Sequence, residues 1–255
     1  MRVVLLVRRG ALVRWAALVL FVAAFLSGTW AGYHALLTAR ASAVVAFLPG
    51  RTVVIDPGHG GRDPGASGRV RGVIEKDVTL AISLRLRDLL RGAGATVMLV
   101  RDRDVDLGLT YPGPGDLKQR EFLNRAGIIK RSGADVLVSI HCNAYPSSVW
   151  RGAQTFYDSG GDPACARLAQ LIQQELVRLT PTDREASPRI KHYVLRHATM
   201  PAATVEAGFL TNPDDERLLG DQAHQQKVAW AIFLGLARFF AAFPPLAPAL
   251  PAAGT

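Results

Sequence analysis

The sequence predicts an α/β fold, a mainly parallel twisted sheet with helices on both faces. Three observations carry that expectation. Short β-branched or apolar runs alternate with longer segments whose apolar residues recur every three or four positions. Loops rich in Gly, Asp and Pro follow the runs, as at Asp56-Pro57-Gly58-His59-Gly60-Gly61. At 255 residues and 49% apolar composition, the chain can bury one substantial core and gives little reason to expect two.

Taken in order, Thr52–Ile55 is a β-branched strand that delivers the glycine-rich loop. Val78, Ala81, Ile82, Leu86 and Leu89 share one helical face, and that helix ends near Gly92 or Gly94. A strand follows over Ala95–Val100, then a helix over Leu117–Arg131 and a strand over Asp135–His141. Further strands are expected at Gly152–Tyr157, Ile190–Leu195 and Ala202–Glu206, with helices at Pro163–Leu179 and Gln222–Ala241. In such sheets, ligands gather beyond the carboxyl ends of the strands. His59, His141 and Glu206 each stand at or just past such an end.

The ends of the chain differ from its middle. Trp15 to Ala39 contains no Asp, Glu, Lys or Arg over 25 residues, enough to cross a bilayer as a helix. Arg2, Arg8, Arg9 and Arg14 precede it, and flanking cations favour the cytoplasmic side. The expectation is therefore a cytoplasmic segment (1–14), a membrane anchor or signal segment (15–39), and an exported domain over 51–242. Two readings of the anchor stand, an uncleaved span or cleavage near Ala41-Ser42-Ala43. The Pro/Ala-rich stretch 243–255 is expected to be a disordered tail.

Four arginines before the apolar segment contribute to the formal charge of +9, leaving +5 for the remainder. A modestly basic domain suits anionic wall polymers, peptidoglycan carboxylates or lipid head groups, and export argues against nucleic acid. Cys142 and Cys165 permit a bridge, but their expected placement on a strand and a helix favours two buried free thiols.

The chemistry concentrates in four residues. His59 and His141 close two strands, Glu75 opens the first helix and Glu206 ends a late strand. A catalytic zinc typically takes three nitrogen or oxygen ligands and keeps one position open. Two histidines and a glutamate would supply such a set, and a fourth acid beside it can carry a proton. Spacing alone matches no short metal motif, and each histidine taken singly also reads as a structural residue. Glu75 also reads as an acid favoured at a helix N-terminus. Glu206 emerges from the apolar strand Ala202–Val205 and so needs a partner. Asp56 has two readings as well, an orienter of the His59 ring or a turn cap.

At these residues the chain resembles a known family. The stretches Val53-Val54-Ile55-Asp56-Pro57-Gly58-His59-Gly60-Gly61, Glu75-Lys76-Asp77, Ser139-Ile140-His141-Cys142-Asn143-Ala144 and Val205-Glu206-Ala207-Gly208-Phe209-Leu210 are similar, in order, to the amidase-3 (AmiC-like) zinc amidases. The resemblance covers about residues 51 to 240. It implies a single zinc-amidase domain, one Zn2+ held by His59, Glu75 and His141, and Glu206 as the catalytic carboxylate. The implied reaction is hydrolysis of the amide joining N-acetylmuramic acid to L-alanine in peptidoglycan.

Trp150, Gly152–Tyr157, Asp116–Arg120, Thr182–Arg184 and Tyr193–Arg196 look like the spore-cortex subgroup of that family. That likeness implies a role in forming muramic δ-lactam with a partner polysaccharide deacetylase. Asn143 and Arg196 are candidate substrate contacts, and Arg151 and Arg189 are further arginines that can meet stem-peptide carboxylates. Cys142 stands where the wider family usually carries a small or aliphatic residue. The 64 residues between His141 and Glu206 leave no room for the pocket-blocking helix of regulated division amidases. The competing readings are a zinc peptidase that cuts within the stem peptide and a non-catalytic wall-binding protein.

Overall fold

A computed structural model describes residues 14–15, 18–23, 27–30, 46–189 and 193–243. The chain divides into two compact units, residues 1–44 and 45–255. In the first, the described residues at 14–15, 18–23 and 27–30 are helical and exposed. The single N-terminal membrane span expected over Trp15–Ala39 is corrected here, because no helix among the described residues is long and apolar enough to cross a membrane. A span needs about 20 consecutive apolar helical residues. The cleavage site expected near Ala43 and the tail from residue 244 lie outside the described residues.

The second unit is built on a six-stranded sheet. Its strands are β1 (Thr52–Pro57), β2 (Thr96–Leu99), β3 (Val136–Asn143), β4 (Gln154–Tyr157), β5 (Ser187–Pro188) and β6 (Ala202–Phe209). Their order is β2-β1-β3-β6-β4-β5, and every neighbouring pair is parallel except β4 and β6. The helices are α1 (Glu75–Gly92), α2 (Leu107–Thr110), α3 (Leu117–Arg131), α4 (Pro163–Leu179), α5 (Tyr193–His197), α6 (Pro213–Leu219) and α7 (Gln222–Ala242).

Buried strands without polar alternation, such as Val136–Ile140 and Ala202–Phe209, require cover on both faces. Helix α1 packs on β1, β2 and β3, α4 packs on β4 and β6, and α7 packs against both helices. Val78, Ile82, Leu86 and Leu90 form the buried stripe of α1. Each such side chain is worth roughly 1.5–3 kcal/mol of burial, so Leu86→Ala would cost about 2–5 kcal/mol. On the opposite face, Ile129 of α3 and Val194 and Leu195 of α5 form a core cluster with Val54 and Leu137.

Side-chain caps fix where five helices start. Asp106, Asp116, Asp162, Asn212 and Asp221 accept from the first free backbone N–H groups of α2, α3, α4, α6 and α7. Helix α1 has no side-chain cap; Ile74 precedes it in extended conformation.

One expected element is of the wrong type. Tyr193–His197 is a helix rather than the second half of a strand over Ile190–Leu195, whose first three residues lie outside those described. The aromatic and β-branched run fits either period over so short a length. What decides is that consecutive Val194 and Leu195 are both buried against α3 and the sheet. The edge position goes instead to Ser187–Pro188, paired with Phe156 and Tyr157. The short helices α2 and α6 were not expected. Cys142 and Cys165 are both free and buried, as expected.

Candidate active site

The strand register brings the four polar residues to one edge of the sheet. Pro57 lies beside Ile140, and His141 lies beside Glu206, so the carboxyl ends of β1, β3 and β6 stand level. Beyond His141 and Glu206 the pairing slips, and Phe209 aligns with Asn143. This extra residue in β6 bends the strand away just after the carboxylate.

His59, Glu75 and His141 offer donor atoms that all lie within 4.8 Å of one another. Glu75 Oε1 is 3.1 Å from His59 Nε2 and 3.2 Å from His141 Nδ1. Ligands about 2.0–2.1 Å from a tetrahedral ion stand about 3.3 Å apart, so Glu75 already stands from each histidine at the separation of two ligands of one zinc ion. Two imidazoles and one carboxylate are also the donor types zinc prefers. The residues present therefore fit the metal that the sequence implied.

Glu75 is not spent on capping its own helix. Its Oε1 accepts from Cys142 N–H at 2.9 Å and its Oε2 from Ala66 N–H at 2.8 Å, which aims the carboxylate at the histidines. Burial opposes its charge, but His141 and His59 hold it well below the usual carboxylate range. Burial likewise opposes protonation of His59, yet hydrogen bonds from Glu75 and Asp63 raise its pKa to about 9.

Close backbone approach makes the cluster possible. A Cβ at Gly58 would lie 2.3 Å from His141 Cε1, and one at Gly65 would lie 2.5 Å from Glu75 Oε2. His59 itself has φ +61°, a left-handed conformation that costs a non-glycine residue roughly 1–3 kcal/mol. Two buried arginines hold that turn. Arg125 donates to Pro57 O at 2.8 Å and to His59 O, while Arg101 donates to Pro57 O at 3.1 Å and Gly58 O at 2.9 Å.

The structure reassigns the partner of His59. Asp56 does not meet the His59 ring; its carboxylate accepts from Arg125 at 2.6 Å and from Ser139 Oγ at 2.8 Å. Burial alone would raise the Asp56 pKa, but Arg125 beside it brings it below the ordinary value. Asp63 Oδ2 stands 2.8 Å from His59 Nδ1 and fixes the ring. Sequence reasoning missed Asp63, although an aspartate four residues after a histidine in a tight loop is a readable signal. It also missed Arg125, whose partners Asp56, Pro57 and His59 are remote in sequence.

These residues line an open cleft of about 690 Å³, which Lys118, Phe122, Asn143, Arg189, Tyr193 and Glu206 also border. Asn143 is thus at the cleft, where its side chain accepts from Ala144 N–H at 3.0 Å. Arg196 is exposed on α5 and does not line the cleft. Trp150 is half exposed rather than packed beneath β4, with Tyr145 edge-on to it at 6.1 Å. Arg151 is exposed, and its carbonyl accepts from Arg184 at 2.6 Å.

Glu206 is 5% exposed, yet its Oε1 accepts from Arg189 Nη1 at 2.5 Å and its Oε2 is buried with no hydrogen-bond partner among the described residues. A carboxylate that lines the same cleft as a set of metal donors can accept a proton from a reacting water.

Comparisons with known proteins agree with this geometry. The profile of the N-acetylmuramoyl-L-alanine amidase family Amidase_3 matches residues 53–238. The germination-specific N-acetylmuramoyl-L-alanine amidase of Bacillus subtilis is 41% identical over 195 residues, covering 76% of this chain and 81% of the relative. The amidase AmiA of Escherichia coli is 32% identical over 74% of this chain and 76% of its own length. Among solved structures, the CwlD amidase of Clostridioides difficile, in complex with the GerS lipoprotein, superposes with a TM-score of 0.70 at 38% identity, over 75% of this chain and 99% of that one. The chain belongs to the N-acetylmuramoyl-L-alanine amidase family and is a hydrolase of that class acting on peptidoglycan.

Proposed function

We propose that this amidase is zinc-dependent, with His59, Glu75 and His141 as the metal ligands and Glu206 as the proton carrier, and that it serves spore-cortex maturation. The observation that carries the chemical reading is the donor cluster with a half-unpartnered carboxylate in register beside it. Zinc held there would polarise the carbonyl of the lactyl group and acidify the attacking water. Glu206 accepts a proton as the water oxygen bonds to the carbonyl carbon. It then returns the proton to the amide nitrogen as the C–N bond breaks, leaving a lactyl carboxylate and a free L-alanine amino group. Asp63 orients the His59 ring throughout.

The cortex role is supported by the germination-specific Bacillus relative and by the CwlD amidase. A lipoprotein of the kind that accompanies the CwlD structure is one partner to seek, and a polysaccharide deacetylase acting on the product is the other. The catalytic domain is assigned to about residues 51–242; fully buried Leu48 shows that its core also draws on residues just before that start.

Mass spectrometry of muropeptides after digestion of purified peptidoglycan tests the bond. New L-alanine amino termini are the expected result, and fragments cut inside the stem peptide would mean a peptidase. In a spore-forming host, deletion should leave vegetative growth near normal and remove muramic δ-lactam from the cortex. Chained vegetative cells with normal lactam would assign the enzyme to the septum.

A further inference from the structure

Arg189 stands at the end of β5 and is fixed at both its ends. Its backbone N–H donates to Tyr157 O at 2.8 Å, and its guanidinium lies over the Phe156 ring, 4.7 Å from the centroid. From there Nη1 reaches Glu206 Oε1 at 2.5 Å, with the Arg189 side chain 38% exposed along the cleft and the carboxylate 7% exposed. The other carboxylate oxygen, Oε2, is buried and has no hydrogen-bond partner among the described residues.

A buried carboxylate with one unpaired oxygen is expensive to maintain. It persists only where something fixes the other oxygen. The strand neighbours of Glu206 are His141 on β3 and Gln154 on β4. His141 faces Glu75, and Gln154 is engaged with Glu185 and Arg184.

We infer that Arg189 is a positioning residue for the hydrolysis: by gripping Oε1 it fixes the plane of the Glu206 carboxylate beside the cleft. This inference rests on the reading of Glu206 as proton carrier. Arginine suits the task better than lysine, because a planar guanidinium can lie flat on Phe156 while pointing one N–H along its plane at the carboxylate. A carboxylate freed from that grip could turn about its terminal bond, and a misplacement of about 1 Å at a reacting group can cost 10²-fold.

The alternative for the same arginine is direct capture of a stem-peptide carboxylate, and the two make opposite kinetic predictions. In the zinc-loaded full chain, Arg189→Met keeps the apolar stem over Phe156 and removes the grip. The expected result is kcat lower by roughly 30–100-fold, KM within about twofold of wild type, and unchanged zinc content. Arg189→Lys should recover part of the loss, and added guanidinium at millimolar concentration should partly rescue Arg189→Met. Combined with Glu206→Gln, Arg189→Met should cost little more, since both act through one carboxylate. A raised KM with unchanged kcat would overturn the inference and make Arg189 a substrate contact, and a full additive loss in the double variant would overturn it too. If Glu206→Gln alone kept full activity, the proton-carrier reading itself would fall, whatever Arg189→Met showed.

Discussion

The wall of the cleft that carries His59, Glu75 and His141 is tied down from several sides, whereas on the wall that carries Glu206 the carboxylate makes one side-chain hydrogen bond among the described residues. On the first wall, Arg125 and Arg101 grip the carbonyls of residues 57–59. Backbone N–H groups of Ala66 and Cys142 occupy both oxygens of Glu75. On the second, Arg189 holds one oxygen of Glu206, and the other has no hydrogen-bond partner among the described residues. The contrast suits the two proposed tasks. Metal ligands must keep a fixed geometry against the pull of the ion, while a proton carrier needs an oxygen free to take a proton.

The largest effect should come from loosening the first wall. Arg125→Met leaves Asp56 charged and buried without its partner, at a cost of about 3–5 kcal/mol. Chemical denaturation should show that loss, together with failure to retain zinc. A variant that folded with normal stability and bound zinc normally would mean that the arginine cage is dispensable.

Next in size is Asp63→Ala, which removes the group orienting His59 without touching a metal ligand. Zinc affinity should fall about 10–100-fold, measurable by competition with a chromogenic chelator. The same substitution at Asp56 would instead leave buried Arg125 with Glu121 as its remaining carboxylate partner and weaken the loop it holds, so comparing the two separates ring orientation from loop support.

A smaller, graded effect concerns pH. The pKa of His59 is raised to about 9 in the metal-free site, above its ordinary value near 6.5. That proton's contribution to metal-free stability is therefore complete below about pH 6.5 and disappears as pH rises through about 9. Zinc must displace the same proton, so its affinity should climb by roughly tenfold per unit between about pH 7 and 9 and level off above. A flat affinity profile over that range would show that His59 is already neutral.

The sequence was most legible where backbone and side-chain chemistry coincide. The strands that carry the site could be located from apolar runs that stop at glycine or polar residues, although β3 and β6 run on past His141 and Glu206 to Asn143 and Phe209, and their convergence followed from parallel order. Neither reading of Asp56, as orienter of the His59 ring or as turn cap, named its partner, because its side chain leaves the loop and pairs with Arg125. Arg125 and Arg189 act across 66 and 17 residues of chain, separations that no local pattern encodes. The helix at Tyr193–His197 was misread as strand because its five residues are too few to display a period. The long uncharged stretch near the N-terminus had the composition of a span, yet no helix among the described residues meets its length and apolarity.

The central claim is that the metal set and the proton carrier are separate parts, and Glu206→Gln tests it most directly. Zinc content and activity on purified peptidoglycan should be measured on the same preparation. The account predicts wild-type zinc, a normal folded spectrum and activity lower by at least about a hundredfold, because the amide keeps the shape of the carboxylate and loses its proton chemistry. Loss of zinc would place Glu206 in the metal shell, and full activity with zinc retained would remove it from the reaction.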